Sequence, residues 1–462
     1  MFDPQTYSQR RQKLAESVGG GVVLLLGHSH SPMNYADNYY PFRQDSTFLY
    51  YIGLDQPDLA AVIDTDSGRT TVFGHPPTVD DVIWSGPQRS LNQLAQLTGA
   101  DLAAPIRSLQ RSLDRAKKQV RPVHFFRPCR AATGNWLTAL LGPDAEGGVS
   151  GELIAAIVAQ RLIKEPQEVA EIESALEVTA RMHIDAMRLA APGIVEGVIA
   201  GHVESLAIAH GARLAYPCIF TRHGEVLHNH SYHHKLKAGD LVVHDSGASS
   251  RRHYASDITR TIPVSGPFNE RQRAVYHAVL TALEGAMEQI RPGIRYRDIH
   301  LDAARSITCS LQQAGLMKGD LEESVAEGAH GLFFPHGLGH MMGLDVHDME
   351  NLGEDRIGYD TDTQRVNQFG LRSLRLGKFL ESGHVLTVEP GCYFIEALID
   401  QWQQQKRHER FINYAEVRRW CGLGGVRIEE NVVVTPDGHR ILGPPIPRSV
   451  EDVECACQTE LN

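Results

Sequence analysis

Residues 241–261 read LVVHDSGASSRRHYASDITRT, and the fold of the second half of the chain turns on how they are read. Two apolar, strand-like runs each carry an aspartate, Asp245 and Asp257, and a turn-rich connector joins them. The stretch is expected to form a hairpin with one aspartate on each strand. A turn aspartate would be ordinary. Inside apolar runs it is not, because a buried, unpartnered carboxylate is costly and a bound cation offsets that cost.

Further along, FFPHGLGHMMGLDVHD (333–348) carries His336, His340 and His347, VLTVEPGCYF (385–394) carries Glu389, and GGVRIEENVVV (424–434) carries Glu429. His336 and His340, four apart, share a face whether the segment is helical or extended, and Gly337 and Gly339 favour the extended or turning form. Pro390 pushes Glu389 into the extended region at the end of its run. Alternation along VRIEEN places Arg427 and Glu429 on one face and Glu430 on the other, so Glu429 is the better ligand candidate. Each fragment alone has a plain structural reading, as a turn aspartate, a core histidine or an ion-pair strand. Together, hard oxygen donors and imidazoles suit two divalent ions of the manganese type better than a thiolate zinc site. The chain reads as a two-metal hydrolase.

At 462 residues, two domains are expected. A formal charge of -11 argues against a nucleic-acid partner, which needs a basic surface. The seven cysteines are dispersed, odd in number and include no CxxC pair, which points to a reducing, cytoplasmic compartment. The opening MFDPQTYSQRRQKLAESV has no signal-peptide core, and VVLLL at 22–26 is too short to span a bilayer, so no membrane association is expected.

The first 140 or so residues alternate short apolar runs with turns and a helical stretch, SLNQLAQLTG, in an α/β pattern. GPDAEGGVSGE (142–152) is the expected junction, giving domains 1–155 and 156–455. In the second domain Pro166 opens a helix in which Ile172, Ala175, Leu176 and Thr179 fall at i, i+3, i+4 and i+7. Further helices are expected at 270–290 and 296–314. Helices alternating irregularly with hairpins suggest an α+β domain with ligands on the inner face of a curved antiparallel sheet. The tail after Pro447 reads as polar and of little structural weight.

From about residue 165 to 450 the chain closely resembles the metal-dependent pita-bread peptidases (creatinase, aminopeptidase P, prolidase), and within them the proline-directed branch. The order Asp, Asp, His, Glu, Glu carries the resemblance, and FRQDSTFLYYIG (42–53) resembles the family's amino-terminal, creatinase-like domain. The resemblance implies Asp245, Asp257, His340, Glu389 and Glu429 as metal ligands. Two divalent ions per subunit follow, manganese first, with cobalt, zinc and iron accepted by the same donors. It implies His228, in GEVLHNHS, as the histidine that stabilises the oxyanion, Glu389 as proton carrier and His347 as its assistant. His336 becomes a substrate histidine, and Arg427 the arginine that orients the bridging region. The Asp245–Asp257 interval is one residue longer than the family's, and the extra residue is expected in a loop or bulge. Trp84 (VIWSG) resembles a tryptophan that in relatives reaches a neighbouring subunit's active site, so a homodimer is implied.

The implied activity is hydrolysis of the Xaa-Pro bond in small peptides with proline at the second position. Arg375, in GLRSLR (370–375), matches the prolidase arginine that meets a dipeptide's free carboxylate, which favours an Xaa-Pro dipeptidase over an Xaa-Pro aminopeptidase. HDMENLGED (347–355) departs from the glycine-rich sequence usual in either branch. Two readings from other classes stand beside these. One pairs Asp66-Ser67-Gly68 with Asp245-Ser246-Gly247 as an aspartic-type protease, which would leave His340, Glu389 and Glu429 without roles. The other is a metal-free binding member of the same fold.

Overall fold

The computed structural model describes residues 1–146 and 148–459; residue 147, within the turn-rich segment read as the junction, lies outside the described residues. The chain divides into two compact units, Met1–Arg161 with Met349–Gly353, and Leu162–Asp348 with Glu354–Asn462.

In the first unit the run of five apolar residues forms β1 (Val22–Leu26), buried along its length. β2 (Ala60–Asp64) lies antiparallel beside it and turns back as β3 (Thr70–Gly74). Asp64 closes that turn by accepting the amides of Asp66 and Ser67, and Gly68 supplies the left-handed residue (φ 71°). β4 (Leu102–Pro105) and β5 (Val123–His124) join in parallel at the two edges. The result is a mixed sheet ordered β4-β3-β2-β1-β5, with Leu24, Phe73, Leu113 and Phe125 in its core.

In the second unit Pro166 stands in the first turn of helix Pro166–Leu189, where its missing N–H has no helical partner to lose. Ile172, Ala175, Leu176 and Thr179 form the buried stripe that their spacing predicts. Helices Glu270–Gln289 and Tyr296–Gln313 fill the other expected spans and pack against each other.

The strands here are short and antiparallel. β6 (Arg213–Leu214) pairs with β9 (Ala248–Ser249), and β8 (Leu241–Asp245) lies between β7 (Ile219–Thr221) and β10 (Thr259–Pro263). After the helices come β11 (Val385–Val388), β12 (Gly391–Tyr393), β13 (Gly425–Arg427), β14 (Glu430–Val434) and β15 (His439–Ile441). β14 pairs with β11 and β15, and β13 with β12. Val388 faces Glu430 and Gly391 faces Arg427, so Pro390, which has no N–H to offer, stands where the ladder breaks. Across the break Glu429 gives its amide to the Thr259 carbonyl instead (3.1 Å). Glu389 and Glu429 thus flank one gap in the sheet.

Two expectations need correction. Asp257 is not on a paired strand; it precedes β10 by two residues. Its amide donates to Asn431 Oδ1 (3.0 Å), and the Asn431 side-chain amide returns a bond to its carbonyl. The long connection is taken up in a turn where Ser250 N bonds Tyr254 O (2.7 Å) and His253 is left-handed (φ 68°). Register is kept, with Thr259 opposite Asp245. The tail is not idle either. Capped by Ser449, it forms helix Val450–Gln458, buries Val450 and Val453, and holds Arg273 through Glu454 (2.6 Å). Acidic residues between its apolar positions hid that stripe.

Candidate metal centre

The site is assembled where strands end or break. Asp245 closes β8, Asp257 precedes β10, and Glu389 and Glu429 flank the gap at Pro390. His340 is placed by a close crossing: its amide donates to Thr387 Oγ1 (3.1 Å) and Thr387 N donates to its carbonyl (3.0 Å). Gly339 permits that crossing, since a Cβ there would stand 2.1 Å from the Thr387 carbonyl oxygen.

Ligand atoms of Asp257, His340 and Glu429 all lie within 4.8 Å of one another, and all three residues are buried. His340 Nδ1 meets the Met341 carbonyl (3.2 Å), which can only accept. Nδ1 donates there, which turns Nε2 toward Asp257 Oδ2 (3.3 Å) and Glu389 Oε1 (3.8 Å), the edge from which it would bind an ion in place of a proton. Asp245 joins the group through Tyr216, whose hydroxyl bonds both Asp245 Oδ1 (2.7 Å) and Asp257 Oδ1. Glu429 Oε2 accepts from Thr259 Oγ1 (2.7 Å), while Oε1 is buried with no hydrogen-bond partner among the described residues.

Arg427 is the cation already in place. It binds Asp245 Oδ2 (2.6 Å), Thr259 Oγ1 (3.1 Å) and the Tyr393 hydroxyl (2.9 Å). His336 Nδ1 donates to the Gly337 carbonyl (2.8 Å), so its Nε2 accepts from Tyr393 (2.9 Å). A directed chain runs from Arg427 through Tyr393 to His336.

The electrostatics of the cluster follow from its burial. Burial, with the charges of Asp257, Glu389 and Asp245, lifts Glu429 well above the usual carboxylate range. Burial pushes Glu389 up to about 7, and Asp245 is raised by burial despite Arg427. Asp257 goes the other way: burial opposes it, but the bond to His340 holds it low, and the same bond raises His340 against burial. Burial and Arg427 keep His336, at about 3, and His228 below the imidazole norm, so both are neutral. Three buried carboxylates and the half-buried Glu389 facing one arginine, with an orphaned oxygen and the His340 Nε2 edge aimed inward, fit a divalent cation.

These residues line a cavity of about 380 Å³ together with Tyr216, His228, His347 and Arg375. The His347 ring lies 3.9 Å from that of His340. Trp84 is not among them: it lies in the first unit, on helix Val79–Ser85, and is 85% exposed. Asp66 belongs to the first unit's hairpin turn and pairs with Arg121 (2.6 Å), as a turn residue does. Sequence reasoning missed Tyr216, Thr259, Tyr393 and Asn431. Uncharged and ordinary in strands and loops, they carry no local signal beyond lying near the aspartates and glutamates they serve.

Residues 170–436 match the model of metallopeptidase family M24, and residues 7–124 match the aminopeptidase P N-terminal domain. A Xaa-Pro aminopeptidase of Escherichia coli strain K12 is 30% identical over 467 residues, covering 97% of each chain. A Homo sapiens Xaa-Pro dipeptidase is 30% identical over 481 residues, 98% of this chain and 92% of the relative. Among solved structures, zinc-substituted E. coli aminopeptidase P in complex with product superposes with a TM-score of 0.81 at 28% identity, covering 99% of this chain and 98% of that one. Proline aminopeptidase P II from Yersinia pestis gives 0.82 at 29%, covering 99% of both. The two-domain α+β architecture is the one these structures share.

Proposed function

The chain belongs to metallopeptidase family M24, and on that footing we propose that it is a manganese-dependent Xaa-Pro dipeptidase. The observation that carries the finer reading is Arg375, whose side chain lines the same cavity as the acidic cluster. A guanidinium there pairs with the free carboxylate of a proline-terminated dipeptide and penalises substrates that continue past proline.

Asp257, His340 and Glu429, with Asp245 and Glu389 beside them, are the residues that would hold two divalent ions. Such ions, when bound, make a water acidic enough to attack near neutral pH and polarise the scissile carbonyl. The chain's own residues do the rest. Arg427 and Tyr216 fix the two aspartates. Neutral His228, on the cavity wall, donates to the carbonyl oxygen as charge develops. Glu389, between His336 and His340, carries a proton to the proline nitrogen, with His347 assisting. That proton lets the scissile nitrogen leave as the secondary amine of proline.

Release of the first residue from longer peptides is the second reading, favoured by the equal identity to the E. coli aminopeptidase. Comparing kcat/KM for Ala-Pro and Ala-Pro-Ala decides between them. We expect the dipeptide to be favoured, and Arg375→Ala to erase most of that preference, about tenfold or more. Equal or better tripeptide cleavage, unmoved by the substitution, would replace the dipeptidase with the aminopeptidase. Exposed Trp84 supports a homodimer in which it reaches the partner's cavity, and seven free cysteines support a reducing cytoplasmic location. Among the described residues no helix is long and apolar enough to cross a membrane.

A further inference from the structure

The segment His347–Asp355 departs from the glycine-rich pattern of the resemblance, and Glu354 within it reaches Arg375. Glu354 Oε2 accepts from Arg375 Nη1 at 2.9 Å, and its other oxygen accepts from Arg365. Arg365 is itself tied down: its Nε donates to Asp355 (2.8 Å), and its Nη1 donates to the carbonyls of Arg372 and Leu374 (both 2.9 Å). Tyr359, under the Arg365 guanidinium, donates to the same Leu374 carbonyl (2.7 Å). Gly358 packs so closely that a Cβ there would stand 1.7 Å from the Arg375 carbonyl oxygen. The Arg375 guanidinium is therefore held by Glu354, on the short helix Glu354–Gly358, while the 371–375 backbone is held by Arg365 and Tyr359 just beyond that helix.

We propose that Glu354 is a positioning residue that pre-orients Arg375 and so sets the preference for a free carboxylate directly after proline. The proposal rests on the dipeptidase reading above. An arginine side chain is long and rotamer-rich, and ordering it on binding costs affinity. A carboxylate fixed on one edge meets that cost before substrate arrives. Because Arg365 shares Glu354, the carboxylate does not neutralise Arg375 alone. Both partners are about a third exposed, with side chains 33% and 36% accessible, so the pair matters little to folding. Its effect belongs in substrate recognition.

The test is steady-state kinetics on Ala-Pro and Ala-Pro-amide for the wild type, E354A, E354Q, R375A and the double variant E354A/R375A. E354A should raise KM for the dipeptide about tenfold with kcat within about threefold, an effect the size of one charge-assisted hydrogen bond. E354Q, which keeps an acceptor oxygen, should lose less. In the R375A background E354A should add nothing, since both act through one guanidinium. Unchanged dipeptide-over-amide selectivity in E354A, where R375A abolishes it, overturns the positioning role alone. Unchanged selectivity in R375A overturns the dipeptidase reading, and the proposal with it.

Discussion

The orphaned oxygen of Glu429 is the most telling single atom in the molecule. A buried carboxylate oxygen without a partner is destabilising by roughly 1–3 kcal/mol, and more when the group is charged. A protein retains such a defect where something fills it. Glu429→Gln should therefore act in opposite directions on metal binding and on the metal-free fold. Manganese affinity should fall by about two orders of magnitude as one anionic donor is lost, consistent with the 10–100-fold cost seen even for outer-shell changes. The metal-free protein should melt slightly higher, because about 1 kcal/mol corresponds to roughly 1 °C in a chain this size. Calorimetric metal titration and thermal melts of the metal-free protein read both. Unchanged affinity would remove Glu429 from the ligand set.

At the scale of elements, the centre depends on how strands stop. Pro390 breaks one ladder between Glu389 and Gly391, and Gly247 lets the chain beyond β8 pass against the approach to Asp257. A Cβ at Gly247 would stand 1.8 Å from the Ser256 carbonyl oxygen, where backbone must move. Gly247→Ala should cost about 1–3 kcal/mol as an overpacked contact, read as a lower urea midpoint at constant m, and should weaken manganese binding by displacing Asp257. A variant with wild-type midpoint and metal affinity would show that this crossing has slack. Much at this scale was legible in the sequence. Acidic residues interrupting apolar runs are conspicuous because burial makes them expensive, and proline announces its own effect on a ladder. Asp257 was read onto a strand because YASDITRT has strand composition. What displaces it is Asn431, 174 residues away, taking its amide. Tyr216 and Thr259 escaped for the same reason, since a hydroxyl gains its meaning from whichever carboxylates converge on it.

The whole molecule carries a second consequence of burial. His183, His300 and His384 are held at about 3 and His330 at about 4, all by burial, and each is fully inaccessible. The unfolded chain takes up protons on these rings below about pH 6.5 and the folded chain does not. The stability they lend is therefore complete above pH 6.5 and is lost as pH falls toward 4 and 3. Four rings give a slope of up to roughly 5 kcal/mol per pH unit. Asp245, Glu389 and Glu429, with raised pKa values, and His340, raised by Asp257, pull the other way in the metal-free protein and make the net slope shallower than the four rings alone would give. The urea midpoint should fall between pH 7 and 5.5, and a flat profile would mean these rings protonate in place. Length and a turn-rich junction announced two units, whereas the helix at the chain's end depends on contacts that local pattern reports poorly. Composition alone could not reveal the buried stripe in VEDVECACQ.

The central claim is that the acidic cluster around His340 is a metal centre that performs proline-directed hydrolysis. Its most direct test is to strip the protein with chelator and follow Ala-Pro hydrolysis while manganese is returned in measured equivalents. Activity should vanish on stripping and return to a plateau at about two equivalents per chain. Full activity in the stripped protein, with no metal found by elemental analysis, would contradict it.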